Sequence, residues 1–354
     1  MDKSTRYINM YRGFAILCMV ISRVVFIDAR ITNVLGAFCF CMLFVAEGAE
    51  YDVKDAARTK KYLHRYLIPY CAFSLVMAVY QIVSTAVIWH YVSFSTFKII
   101  LIDTFTLFGE SMLWFVSASL VGMLVYNFAR ARFSPKVIML GTGVLLAAYL
   151  LCGNVFDYLY ISENVFALIL IRLFAVSWRA VFACLYIALG EMLASLLGSE
   201  AVHKKRNITV PAGFALVAVG ILVAVYNGGV YVANLILGKE AMFYGSTIMI
   251  CIGLMLIAEW IGVLGVFEVL GDNAVVIIVT FIDFRIIYMA TRVDDAVLKA
   301  VNNRFVAHAT QAVFIFLVEL ALVILFSRLL PFMQGRKAYN PFECMARGDS
   351  DSQE

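Results

Sequence analysis

Long apolar runs separated by short polar segments make up almost the whole chain. A helix needs about 20 mostly apolar residues to cross the hydrocarbon core of a membrane, and only helices or closed barrels satisfy their backbone polar groups there. The runs are too long and too continuous for barrel strands, so the pattern predicts an all-α, polytopic integral membrane helix bundle of about ten transmembrane helices. The predicted spans lie near 8–27, 31–49, 66–88, 112–128, 137–153, 174–197, 208–226, 243–264, 270–290 and 308–330.

The composition supports this class of protein. Of the 354 residues, 63% are hydrophobic and 15% are charged, and the mean hydropathy is +0.91. A soluble domain has roughly 45–50% apolar and about 25% charged residues, so the excess apolar surface needs lipid as its solvent. The eight cysteines are scattered without a CxxC pair, and most lie in apolar runs, where a thiol behaves as a small hydrophobe. We therefore expect neither a disulfide framework nor a metal site.

Basic residues are concentrated in alternate connecting segments. They follow span two (Lys54, Arg58, Lys60, Lys61, Arg65), span four (Arg130, Arg132, Lys136) and span six (Lys204, Lys205, Arg206). Segments of this kind stay on the cytoplasmic side of a membrane. With an even number of spans, both termini are then cytoplasmic. The segment after span nine is the exception, because it carries Arg292, Lys299 and Arg304 on the predicted outer side.

One membrane domain is expected over residues 1–333, followed by a disordered cytoplasmic tail over 334–354. The first span contains Arg12 and Arg23 and lacks a small-residue cleavage site, which favours a retained helix over a signal peptide. The net charge of +4 fits the membrane orientation and contact with anionic lipid, and nucleic acid is not expected as a partner. The expected location is the cell (plasma or inner) membrane.

Several ionisable residues lie inside the predicted spans. Such charges are costly in a bilayer and suggest function by default. Counting about 1.5 Å of rise per residue predicts a buried polar cluster in the outer half of the bundle. Its members are Arg23, Arg179, Asp283, Arg285 and Glu319. The alternatives are structural ion pairs between helices and long side chains that reach the interface.

Four short segments resemble the acyltransferase-3 family of membrane acyltransferases. They are an Arg-Gly-apolar-Ala run at Arg12-Gly13-Phe14-Ala15, a basic stretch from Lys60 ending in Ile68-Pro69-Tyr70, Leu113-Trp114-Phe115, and Leu270-Gly271-Asp272-Asn273-Ala274-Val275. They occur in the family's order, at the starts of spans one, three, four and nine, so the resemblance covers the whole chain.

This resemblance implies transfer of an acyl group, other than an aminoacyl group, from a cytoplasmic thioester. The typical donor is acetyl-CoA, and the acceptor is a hydroxyl of a cell-surface polysaccharide or lipid-linked sugar of the cell envelope. Guanidinium groups bind phosphates through two donors at once, which makes Arg12 and Arg65 candidates for holding coenzyme A. Trp114 is a further donor-side candidate. No metal is implied.

The chain departs from the family at its signature. The family has a His eleven residues after the Arg, taken as the general base, whereas the residue here is Arg23. Arginine is not deprotonated in proteins and so does not act as a base. Other departures are Asn9, Glu47 and Ala274, where the family has Asp, Ser and Ser. His308 at the start of span ten is a substitute base to consider. The Glu47 and Glu50 carboxylates, near the cytoplasmic end of span two and close in depth to Arg12, are alternatives.

Three functions remain open from the sequence. The first is a membrane O-acyltransferase. The second is a catalytically degenerate relative that serves as a binding or scaffold component. The third is a transporter that uses the buried charges, although neither inverted repeats nor paired Gly/Pro breaks are present to support it.

Cysteine labelling tests the predicted orientation. In a chain whose native cysteines are replaced by alanine, we expect Gly229→Cys, between spans seven and eight, to react with an impermeant maleimide added outside sealed cells. Lys205→Cys, between spans six and seven, should react only after permeabilisation, because basic segments stay inside. The opposite labelling pattern would show that the orientation is inverted.

Overall fold

A computed structural model describes residues 3–22, 29–55, 57–89, 94–109, 111–152, 164–198, 206–261, 264–283 and 286–334. Within these ranges the chain is helical, and extended pairing is limited to one isolated bridge between Tyr231 and Ile236. The all-α fold class is therefore confirmed.

The helices are α1 (Lys3–Ile21), α2 (Ala29–Ala49), α3 (Arg58–Tyr62), α4 (Ile68–Trp89), α5 (Phe94–Phe105), α6 (Leu113–Arg130), α7 (Pro135–Cys152), α8 (Val165–Leu197), α9 (Arg206–Val225), α10 (Glu240–Ile261), α11 (Gly265–Asp272), α12 (Ala274–Asp283), α13 (Ile286–Val301) and α14 (Arg304–Arg328). A π-helical turn (Leu63–Leu67) joins α3 to α4, and 3-10 turns lie at Val232–Asn234 and Pro331–Gln334.

Seven of the described helical segments are long and apolar enough to cross a membrane, or up to eight if one bent pair counts as a single span. The seven are Thr32–Ala49, Arg58–Val83, Leu113–Arg130, Val165–Leu197, Asn207–Val225, Glu240–Ile261 and Arg304–Arg328. The chain is therefore a multi-pass membrane helix bundle. Among the described residues, helices also lie within the three remaining predicted spans, but α1 is more polar, the apolar part of α7, Pro135–Tyr149, is short, and the helices of span nine are interrupted. The count of ten and the cytoplasmic termini stay predictions.

Two segments that the sequence analysis treated as loops are helices. α5 lies between predicted spans three and four, and α13 follows predicted span nine. In α13, Ile286, Ala290 and Asp294 are buried at four-residue spacing, so this helix is amphipathic and packs with one face. The basic residues predicted to form an exceptional outer loop therefore belong largely to a helix.

Predicted span nine is not one continuous helix. α11 ends at Asp272, and the side-chain amide of Asn273 donates a hydrogen bond of 2.9 Å to the carbonyl of Val269. The same carbonyl also accepts the backbone N–H of Asn273 at 3.2 Å, so the side-chain amide adds a second hydrogen bond at the end of the helix. The Gly-Asp-Asn motif, which we expected to open a span, lies instead at the break between α11 and α12.

The fold divides into two compact units. The first contains the described parts of 1–51 and 186–328, and the second those of 52–185 and 329–334. Helix α8 contributes its first part to the second unit and its last part to the first.

Glycines allow backbones to touch in the first unit. A Cβ atom at Gly13 of α1 would overlap the Phe267 carbonyl of α11, and one at Gly271 of α11 would overlap the Asn9 carbonyl of α1. Helices α2 and α8 meet in the same way, through Gly48 and Gly190. Small residues that permit close backbone approach are the usual basis of helix packing in membranes.

Adding one methyl group tests these contacts. We expect Gly13→Ala or Gly271→Ala to lower the free energy of unfolding by about 1–3 kcal/mol or more, because rigid backbone must move to admit the Cβ. Thermal unfolding of the purified protein in detergent measures the change. Gly141→Ala on α7 is the matched control, since that position is exposed and a Cβ there meets nothing within 4 Å. Equal stability of all three variants would contradict the proposed close packing.

Candidate functional site

Arg12 is the centre of a buried polar cluster in the first unit. Its Nη1 donates hydrogen bonds to Asn9 Oδ1 at 2.7 Å and to Glu50 Oε1 at 3.0 Å, and its Nη2 donates to Glu47 Oε1 at 3.1 Å. Asn9 precedes Arg12 by one turn of α1, and the two glutamates are three residues apart at the end of α2. Arg12 is 2% exposed and Glu47 is 4% exposed. We call Asn9, Arg12, Glu47 and Glu50 the Arg12 cluster.

In the Arg12 cluster, the positive charge of the buried guanidinium is balanced by the carboxylates of Glu47 and Glu50. A buried guanidinium is tolerated when it is both paired and hydrogen-bonded, and its planar fork suits carboxylates. Glu50 and Glu47 accept hydrogen bonds from the Nη1 and Nη2 atoms of Arg12. A phosphate that bound to Arg12 would have to displace Glu47 or Glu50 from this arrangement.

A second ion pair ties α1 to α11 beside this cluster. Arg6 Nε lies 3.1 Å from Glu268 Oε1, and Arg6 Nη2 lies 3.3 Å from Glu268 Oε2, so the pair has the two-pronged geometry that arginine favours. Together with the Gly13 and Gly271 contacts, it brings the first and last of the four sequence motifs together. These motifs are more than 250 residues apart in the chain.

The second unit has its own buried cluster, around the ring of Phe108. Arg172 and Arg179 place their guanidinium carbons 4.2 and 4.3 Å from the centroid of this ring. Arg172 Nε donates to Asp103 Oδ1 at 2.7 Å, and Arg179 Nη1 donates to the Phe108 carbonyl at 2.6 Å. The Arg179 guanidinium also lies 5.6 Å from the Trp114 ring. We call these five residues the Phe108 cluster.

The loop before α6 holds Phe108 in a strained backbone. Leu107, Gly109 and Ser111 have φ values of +57°, +69° and +49°, a region that costs energy for residues other than glycine. The hydroxyl of Tyr70 donates to the carbonyl groups of Asp103 and Thr104, each at 3.1 Å. Two further sequence motifs, those that contain Tyr70 and Trp114, therefore flank the same loop.

The sequence analysis missed Asp103, Phe108 and Arg172. Arg172 precedes Arg179 by seven residues, which is two turns of one helix face, and this spacing was the available signal. Asp103 lies in α5, which we had treated as a loop.

Arg65 and His308 each make a close contact with a neighbouring side chain. Arg65 is half-buried, and its guanidinium carbon lies 5.6 Å from the centroid of the Tyr66 ring. His308 Nδ1 lies 2.8 Å from Asp294 Oδ1, and the two side chains are 11% and 7% exposed. This is an ion-pair distance, and it places a carboxylate beside the imidazole ring.

The predicted outer-half cluster stays a prediction. Arg23 and Arg285 lie outside the described residues, and Asp283 ends α12 with a side chain that is not described. Glu319 is buried, and its Oε2 accepts a hydrogen bond of 2.9 Å from Thr280 Oγ1 within the first unit. Arg179 belongs to the second unit.

Searches for related proteins complete this description. Comparisons with known protein families, with curated proteins and with solved structures each found no match. Within the described ranges, no group of three or more His, Cys, Asp or Glu side chains could hold a metal ion. The fold defines a multi-pass α-helical membrane protein, and any more specific function rests on the geometry of its own residues.

Breaking the Arg12 cluster should destabilise the protein. We expect Glu47→Leu to cost on the order of 3–5 kcal/mol, because it removes one carboxylate from a buried guanidinium. Glu240→Leu, at the half-buried start of α10, is the matched control and should cost under about 1 kcal/mol. Unfolding of Arg12→Leu and of the double variant completes a mutant cycle. If the two losses simply add, Arg12 and Glu47 are not coupled in the folded protein.

Proposed function

We propose that this chain is a membrane-bound O-acyltransferase of the acyltransferase-3 type, in the cell (plasma or inner) membrane. It transfers an acyl group, most simply acetyl from acetyl-CoA, to a hydroxyl of a cell-surface polysaccharide or lipid-linked sugar. The observation that carries the proposal is the convergence of the motifs. The motifs at Arg12-Gly13 and Leu270–Val275 touch in one unit, and those that contain Tyr70 and Trp114 flank the Phe108 loop in the other.

The contacts between distant motifs support the proposal for a physical reason. Short motifs occur by chance along an apolar chain, but chance gives no reason for distant motifs to lie in direct contact. At Gly13 and at Gly271, the backbone of the other helix occupies the space that a side chain would need. The residues that carry the resemblance are therefore also residues on which the packing depends.

Each basic residue then has a distinct role. Arg65 is half-buried on a basic segment that we predict to be cytoplasmic, so it is the better candidate for holding the donor phosphates. Arg12 is a positioning residue, because its guanidinium is held by Glu47 and Glu50. Trp114 contacts Arg179 in the Phe108 cluster, and its assignment to the donor follows from the family resemblance alone.

His308 is the candidate general base in place of the family's histidine. His308 lies at the start of span ten, on the predicted outer side, so the thioester end of the donor has to reach the outer half of the bundle. There the acceptor oxygen attacks the thioester carbonyl carbon while its proton passes to His308 Nε2. The new C–O bond forms, the C–S bond breaks, and the thiolate of coenzyme A takes the proton back from the imidazolium. Asp294 places a carboxylate beside the imidazolium that this step forms.

A non-catalytic relative is the second candidate, and two observations favour it. Arg23 stands where the family has its base, and carboxylates of the protein occupy the Arg12 guanidinium. Such a protein would keep the fold and serve as a binding or scaffold component of an assembly that builds a surface glycan.

Donor binding and turnover test the proposal. In nanodiscs, we expect the wild-type protein to bind acetyl-CoA and to hydrolyse it slowly in the absence of acceptor. His308→Ala should retain binding and lose turnover by about 10²–10⁴-fold, the usual contribution of a general base. His64→Ala, at an exposed position on the π-helical turn, is the control and should behave as wild type.

Other outcomes separate the two candidates. Binding without turnover, together with activity gained in Arg23→His, would identify a relative that has lost its base. Failure of the wild-type protein to bind acetyl-CoA or a longer acyl-CoA would overturn both the enzyme proposal and the donor-side assignments of Arg65 and Trp114.

A further inference from the structure

A cavity of about 340 Å³ lies in the first unit, between α1, α9, α10 and α11. Its wall includes Tyr11 and Phe14 of α1, Val217 of α9, Ala258 of α10 and Phe267 of α11. Ligand sites of proteins usually occupy roughly 300–1,000 Å³, so the cavity is large enough for part of an organic molecule.

The wall of this cavity is apolar throughout. The hydroxyl group on its lining belongs to Tyr11 and is directed elsewhere, because it donates a hydrogen bond of 3.2 Å to the Cys251 carbonyl. A cavity of this kind offers water no partners and fills with apolar matter instead. The expected occupant is therefore a hydrocarbon.

The cavity opens towards lipid. Phe214, Ile261 and Leu264 line it and are themselves 55%, 47% and 47% exposed. The first two lie on α9 and α10, both of which are apolar enough to span the membrane. Large apolar side chains exposed on membrane helices face the hydrocarbon of the bilayer.

The shape of the cavity favours a chain over a compact ligand. Along α10 the lining runs from Leu254 to Ile261, a distance of about 10 Å at the helical rise per residue. Trp260, which is exposed at the end of α10, is of the type that lies at the membrane–water interface. One end of the cavity is therefore close to the level of lipid head groups, and the other is deeper in the hydrocarbon.

We infer that this cavity binds one acyl chain of a bilayer glycerophospholipid, which enters laterally between α9 and α1 with its head group at the end of α10. The site is separate from the proposed acyl transfer, because Arg12 contacts α2 while its neighbours Met10, Tyr11 and Phe14 face the cavity. The bound chain fills the space between the α9–α10 pair and the α1–α11 pair.

Photolabelling tests this inference in the full chain. The probe is a phosphatidylcholine with a diazirine in the middle of one acyl chain, incorporated at low mole fraction into nanodiscs of unlabelled lipid. Mass spectrometry should find labelling of Val217, Ile257 and Ala258 that saturates as the probe fraction rises. Labelling of Leu140, on the exposed face of α7, should rise in proportion to the probe and serves as the reference for unspecific contact.

Filling the cavity should remove the saturable labelling. We expect Ala258→Phe to reduce labelling of Val217 at least tenfold, because Ala258 is buried in the wall. Ala218→Phe is the matched control, since Ala218 neighbours Val217 on α9 but is exposed and does not line the cavity. If Ala258→Phe does not fold, Val217→Phe, read through labelling of Ile257, serves the same purpose.

Two outcomes would overturn the inference. The first is labelling at Val217 and Ile257 that rises in proportion to the probe, as at Leu140, and is unchanged in the filled variants. The second is saturable labelling that long-chain acyl-CoA displaces and excess phosphatidylcholine does not, which would assign the cavity to a thioester instead of a membrane lipid. Neither outcome depends on whether the protein turns over acetyl-CoA.

Discussion

The backbones of α1 and α11 touch at Gly13 and Gly271, and the rest of the first unit is arranged around this contact. Helices in a bilayer gain no hydrophobic free energy by exchanging lipid contacts for contacts with another helix. Their association therefore depends on close packing and on polar contacts between them. Here both occur together, because the glycine contacts lie next to the Arg6–Glu268 ion pair. The position of α11 against α1 is thereby fixed both by shape and by charge.

The Arg12 cluster determines where α2 lies. A buried ion pair gives little net stability, because desolvation offsets much of the attraction, but a wrong arrangement leaves a charge uncompensated and costs several kcal/mol. Glu47 contacts Arg12, whereas its neighbour Gly48 contacts the Ile187 carbonyl of α8. The ion pair with Arg12 on one side of α2 and the close backbone packing against α8 on another thus restrict rotation of α2 about its axis.

The sequence predicted the helices well because each apolar run is long and has polar ends. It also placed Glu47 and Glu50 near Arg12 in depth, since depth follows from counting residues along a helix. It did not predict their hydrogen bonds, because rotation about a helix axis is set by packing that one sequence does not reveal. The pairs Arg172–Asp103 and His308–Asp294 were missed for another reason. Asp103 lies on α5, which is apolar but too short to span a membrane, and Asp294 lies on α13, whose many charged residues are typical of a loop between spans.

Phe267 contributes both to the backbone contact between α1 and α11 and to the wall of the apolar cavity. Its carbonyl packs against Gly13, one residue after Arg12, and its side chain lines the apolar cavity. A ligand that shifts Phe267 therefore changes the separation of α1 and α11, and with it the position of Asn9, whose side chain accepts a hydrogen bond from Arg12. Thermodynamic linkage makes such an effect reciprocal, so a change of partner at Arg12 alters the affinity of the cavity by the same factor. Phe267 would then connect occupancy of the inferred lipid site to the geometry of the Arg12 cluster.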